Sequence, residues 1–149
     1  MRYLLIALII AVSLQGYASA QLLEWDEGAV KQLCESEWQD DFSMQEYCVN
    51  TNKEGHADFM RFATTADMVR FDQPFSNCIR EWGIQWEMVA YCAERQLESF
   101  ESLPEKLSGL PSEIAEAIMS KCSQEWRDDY SMIAYCAETQ SKAWKQLNN

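Results

Sequence analysis

The sequence predicts an all-α fold built from three disulfide-stapled helical hairpins. Three observations carry that expectation. A seven-position pattern occurs three times at identical spacing, apolar residues recur at helical intervals beside it, and all six cysteines fall inside it. The pattern reads Cys34, Glu37, Trp38, Phe42, Met44, Tyr47, Cys48. It returns as Cys78, Glu81, Trp82, Trp86, Met88, Tyr91, Cys92 and as Cys122, Glu125, Trp126, Tyr130, Met132, Tyr135, Cys136, each copy 44 residues after the last. A fixed period of this length marks stacked or bundled copies of one small structural unit.

Residues 1–20 read as an export signal peptide. Arg2 gives the positive start, Leu4 to Leu14 an apolar stretch too short to span a bilayer, and Ala18-Ser19-Ala20 a small-residue cleavage site before Gln21. Residues 21–149 then form a single helical-repeat domain, periplasmic or secreted, with hairpin motifs at 34–48, 78–92 and 122–136. An even cysteine count in an exported chain reads as disulfides. The repeat symmetry selects Cys34–Cys48, Cys78–Cys92 and Cys122–Cys136.

The first helix of each hairpin shows in steps of four: Val30, Cys34 and Trp38 in copy one, and Ile114, Ile118, Cys122 and Trp126 in copy three. The second helix shows in Met44, Tyr47 and Cys48, and again in Met132, Tyr135 and Cys136. One continuous helix would hold the paired cysteines about 21 Å apart, whereas a disulfide needs Cα atoms within roughly 7 Å. The chain must therefore reverse between them. Asp40, Asp41, Asp128 and Asp129 are N-cap candidates for the second helix. Gly83 can end the first helix of copy two, where Ile84-Gln85 replaces the acidic pair. Glu37, Glu81 and Glu125 are expected to reach across the turn to the exposed N–H groups that start the second helix. Trp38, Met44, Tyr47, Trp82, Met88, Tyr91, Trp126, Met132 and Tyr135 form the expected repeat core, with tryptophan facing methionine across the hairpin.

The connectors also read as mainly helical. The first carries Gly55, then Phe59, Phe62, Ala63, Ala66 and Val69 on an amphipathic segment, then Pro74 opening the next helix. The second carries Pro104 and a break at Ser108-Gly109-Leu110-Pro111. Residues 140–149 extend the last helix. A short solenoid and a single bundle both fit this order of elements.

For function, the sequence excludes more than it assigns. The formal net charge of −12 becomes −13 once Arg2 leaves with the signal peptide. That acidity opposes nucleic-acid binding, which needs basic surface, and favours a basic protein partner. Two soft-ligand residue types, Met and Cys, raise copper(I), but paired cysteines are not thiolates and each copy offers too few ligands. The cysteine spacing and the single histidine do not suit zinc. A redox carrier would need a reactive pair such as Cys-x-x-Cys, which does not occur. His56 reads as a surface loop residue. No serine-nucleophile, phosphate-loop or metalloprotease motif is present, and adjacent aspartates do not flank a substrate as glycosidase carboxylates do. An enzyme would have to place its site outside the repeats. The expectation is a non-enzymatic protein-interaction or structural module without metal or cofactor.

At Cys-x-x-Glu-Trp, Asp-Asp-aromatic-Ser-Met and Tyr-Cys the chain resembles short repeats in small exported bacterial proteins. The resemblance covers about fifteen residues in each copy. It implies export and a repeated helical unit, and it carries no activity to transfer.

Overall fold

The computed structural model describes residues 24–148. The expected signal peptide and its expected cut between Ala20 and Gln21 lie outside the described residues. Among the described residues there are six helices and no strand: α1 (Glu27–Glu37), α2 (Phe42–Thr65), α3 (Met68–Trp82), α4 (Trp86–Lys106), α5 (Ser112–Trp126) and α6 (Tyr130–Leu147). Disulfides Cys34–Cys48, Cys78–Cys92 and Cys122–Cys136 join α1 to α2, α3 to α4 and α5 to α6, each with a Cα–Cα distance of 5.7 Å. The fold is all-α, and the stapled hairpins are those the repeat symmetry selected.

Each hairpin turns on a hydrogen bond back to its tryptophan carbonyl, donated by the Asp41, Gln85 and Asp129 N–H groups at 3.1, 3.1 and 3.0 Å. Copies two and three use one geometry. Gly83 has φ 58° and ψ −117°, and Arg127 has φ 48° and ψ −98°. Both place the first central residue of the turn where a type II′ turn wants glycine. Copy one moves its left-handed residue one place on, to Asp40 at φ 62°.

Capping by the aspartates is half as expected. Asp41 accepts the Met44 N–H and Asp129 accepts the Met132 N–H, both at 3.1 Å. Asp40 instead supplies the left-handed bend, and Asp128 precedes the capping residue. The glutamates correct the expectation more fully. The Glu125 carboxylate pairs with Lys121 within its own helix. Glu37 lies 3.9 Å from the Cys48 sulfur, a contact only, because a disulfide sulfur has no proton to donate. The caps belong to Asp41 and Asp129, which sit at the helix start and reach its N–H groups over a shorter span.

The expected repeat core is also corrected. Tyr47, Tyr91 and Tyr135 are exposed, as are Trp38 and Trp126, while Trp82, Met44, Met88 and Met132 are half-buried. Each tyrosine directly precedes a cysteine that faces the partner helix. About 100° of rotation per residue turns the tyrosine outward. The tryptophans sit at the turn end, where only one partner helix covers them. The buried positions are instead those one and two residues past the methionine, Val89 and Ala90, Ile133 and Ala134, with Ala93 and Ala137 a turn later.

By its internal contacts the chain divides into two compact units, one ending at Lys53 and one starting at Glu54. The first holds buried Val30, Cys34, Cys48 and Asn52. In the second, α3 packs on α4, α5 on α6, and α4 on α6. Its interior is a train of rings. His56 and Phe59 pack on Trp86, Phe59 meets Phe75, and Phe71 passes the contact on from Phe75 to Phe100 and Tyr130. An aliphatic cluster around Leu103, Ile118, Ile133 and Ala137 continues it.

The connectors differ from expectation at one residue, Pro74. Within the first connector α2 runs unbroken through Gly55. A Cβ there would lie 2.6 Å from the Glu87 backbone and the Trp86 carbonyl carbon, so glycine permits a close helix crossing. Pro74 does not open a helix. Asp67 caps α3 by accepting the Val69 N–H, and Pro74 lies buried inside that helix. The break at Ser108 to Pro111 is present, with Gly109 at φ 74°.

Candidate interaction surfaces

Two surfaces follow from this arrangement. The first is the set of tyrosines beside the disulfides. Tyr47, Tyr91 and Tyr135 are 60, 57 and 66% exposed, so all three copies hold a large aromatic residue at a position the core does not use. The short, bridged hairpin presents each ring from a rigid helix, which lowers the ordering cost of a contact. Tyrosine combines apolar area with a hydroxyl, a combination enriched at protein interfaces.

The second is the seam between α4 and α6. Gln96 on α4 accepts the Tyr130 N–H at 2.7 Å and donates to the Asp129 carboxylate at 3.3 Å. It therefore reads both the first free donor of α6 and its capping residue. Further along, the hydroxyls of Ser99 and Ser131 approach to 3.4 Å and Lys106 pairs with Glu138 at 2.7 Å. These partners advance together along both helices, so α4 and α6 run parallel. A groove of about 390 Å3 opens over the seam, lined by Arg95, Glu98, Ser102 and Tyr135 among others. Hydrogen bonds from Lys106 and Lys142 push the Glu138 carboxyl down to about 2, so it stays ionised well below neutral pH. Burial pushes the Tyr130 phenol up. The groove offers hydroxyls and fixed charges.

His56 is not on a loop. It is half-buried on α2, edge-on to Trp86 with ring centroids 4.6 Å apart. All six cysteines are bridged and no thiol is free. Among the described residues no three His, Cys, Asp or Glu side chains converge to hold a metal, and no helix is long and apolar enough to cross a membrane. No family model, curated protein or solved structure matches the chain.

Gln96, Ser99, Lys106 and Glu138 of the α4–α6 seam were not singled out from sequence, although a signal exists for the first two. Carried past the second cysteine, the 44-residue period aligns Asn52 with Gln96 and Gln140, and Gly55 with Ser99 and Ala143. It also aligns His56 with Phe100 and Trp144, and Phe59 with Leu103 and Leu147. Residue class is kept at each position while identity changes, which hides the match from a reading tuned to identical residues.

Proposed function

We propose that this chain is an exported, non-enzymatic helical-repeat protein that serves as a protein-interaction or structural module of the bacterial envelope or secreted space. The observation that carries the reading is the exposed tyrosine kept beside the disulfide in every copy. Rigid helical repeats provide extended surfaces suited to protein contacts. The three disulfides fit an oxidising compartment, and the leader-like residues 1–20 fit export. With a formal net charge of −12, the natural partner is a basic protein rather than nucleic acid.

The test compares the immobilised chain with its Tyr47→Ser, Tyr91→Ser, Tyr135→Ser triple variant, matched in circular dichroism and disulfide content. An envelope protein held by the first, lost from the second and released by salt supports the reading. Equal retention by both removes the tyrosines as the contact surface. A copper or redox carrier would instead bind the metal or show alkylatable cysteines in the native protein, which mass spectrometry reads directly.

A further inference from the structure

The way one copy of the repeat receives the next is seen twice in the second unit. At the first place, Trp86 at the start of α4 sits on α2. Gly55 lets the backbones close up, His56 meets the indole edge-on, and Phe59 lies 5.7 Å from it between ring centroids. At the second place, Tyr130 at the start of α6 sits on α4. Ser99 takes the glycine's position, Phe100 meets the phenol edge-on at 5.1 Å, and Gln96 clamps the Tyr130 N–H and the Asp129 carboxylate. The offset between partners is the same in both, Gly55 to Trp86 and Ser99 to Tyr130, so the two interfaces are one interface used twice.

The same face occurs a third time, on α6, as Gln140, Ala143, Trp144 and Leu147. Here no following copy covers it among the described residues: Ala143 is exposed and Leu147 is 84% exposed, while Gln140 and Trp144 are half-buried. Its complement is exposed as well. The residue that corresponds to Trp86 and Tyr130 is Phe42, at the start of α2, and it is 77% exposed. Asp41 before it corresponds to Asp129. Large apolar side chains exposed on faces that the second unit elsewhere buries mark a surface suited to a contact.

We propose that the chain associates head to tail with a second copy of itself, the Asp41–Phe42 start of α2 seating on the α6 face of Gln140, Ala143, Trp144 and Leu147. Every component of the internal interface is present on the two halves. Phe42 supplies the ring, Trp144 and Leu147 the surface that receives it, and Ala143 a small residue at the closest approach. Gln140 supplies the amide that accepts the Phe42 N–H and donates to Asp41. The contact is heterologous, so it propagates into a ring or an open filament rather than closing as a two-fold dimer. Because each copy is acidic, salt strengthens the contact by screening the repulsion between like-charged chains. This surface is separate from the tyrosines, and the Tyr47, Tyr91 and Tyr135 triple variant retains it.

Sedimentation of the purified oxidised protein over a range of concentration tests the proposal. The wild-type chain is expected to show species that grow with concentration. Phe42→Glu or Leu147→Glu, both at exposed side chains and therefore compatible with folding, should each weaken association at least about tenfold. The decisive arm mixes the two variants. Each keeps one intact end, so a one-to-one pair forms from the mixture and from neither variant alone. A protein that stays monomeric at every concentration, association that survives either substitution, or a mixture that gives no pair each overturns the proposal. Circular dichroism and unchanged non-reducing mobility confirm that the variants are folded and bridged.

Discussion

The α2 face at Gly55, His56 and Phe59 and the α6 face at Ala143, Trp144 and Leu147 hold equivalent places in the repeat. Phe59 is buried, while Leu147 is among the most exposed apolar residues of the chain. The two helices share residue class and period, so local sequence does not account for the difference. What separates them is the presence of a following copy. Trp86 arrives over Gly55 and closes the first face, and among the described residues nothing arrives over Ala143. Burial of this face is a property of the contact between repeats, whereas helix formation and bridging are properties of each repeat alone.

Exchanging the small residues breaks that pairing most sharply. Gly55→Ala drives a methyl group into the Glu87 and Trp86 backbone at 2.6 Å, which cannot move aside as a flexible side chain would. The loss should be about 3 kcal/mol or more, despite a helix-propensity gain of about 1 kcal/mol. The counterpart Ala143→Gly meets no such neighbour and should cost only that propensity, about 1 kcal/mol. Urea midpoints of the oxidised proteins measure both, and equal losses would mean that the crossing at Gly55 is not the tight one.

The disulfides sharpen the same contrast from the other side. Replacing Cys78 and Cys92 by alanine, or Cys122 and Cys136, opens a loop of equal length in each case. Each variant should lose about 3 kcal/mol in the chain-entropy account. A difference of more than about 1 kcal/mol between them, in the same denaturation series, would show that the neighbouring repeat and not loop closure sets the worth of a bridge.

A smaller effect is expected at the turns. Gly83 and Arg127 share a backbone conformation that glycine adopts freely and arginine does not. Arg127→Gly should therefore raise stability by about 1 kcal/mol. Gly83→Ala should lower it by a similar amount through backbone strain alone, since a Cβ at Gly83 meets nothing within 4 Å. Thermal midpoints with opposite signs at the two positions would confirm that the closing turn imposes one shape on both copies.

The smallest effect concerns pH. Glu138, bonded to Lys106 and Lys142, titrates at about 2 against an ordinary 4.5. Its folded value is depressed, so its contribution is present above about 4.5 and drains away as pH falls towards 2. Lys106→Met should flatten that part of the acid-stability curve, while the wild-type slope would persist if the pair between α4 and α6 were immaterial.

The hairpins were legible because their determinants are local. Cys34 and Cys48 must meet if they pair, Asp41 and Asp129 lie where a helix start needs an acceptor, and Gly83 marks a turn by its own chemistry. The repeat period likewise announced three copies. The outward tyrosines were not legible, because Met44, Tyr47 and Cys48 share helical spacing whether or not a neighbour covers them. Pro74 reads as a helix start until Asp67 is seen to cap α3 earlier.

From the amino-acid order alone came the helices, their reversal points and their bridges, since each depends on residues no more than 14 positions apart. The identity of the buried side chains came from three-dimensional packing. It depends on Gly55 meeting Trp86 and Gln96 meeting Tyr130, contacts between residues more than thirty apart. Apolar periodicity states that a face can be covered, and only the arriving helix states which one is.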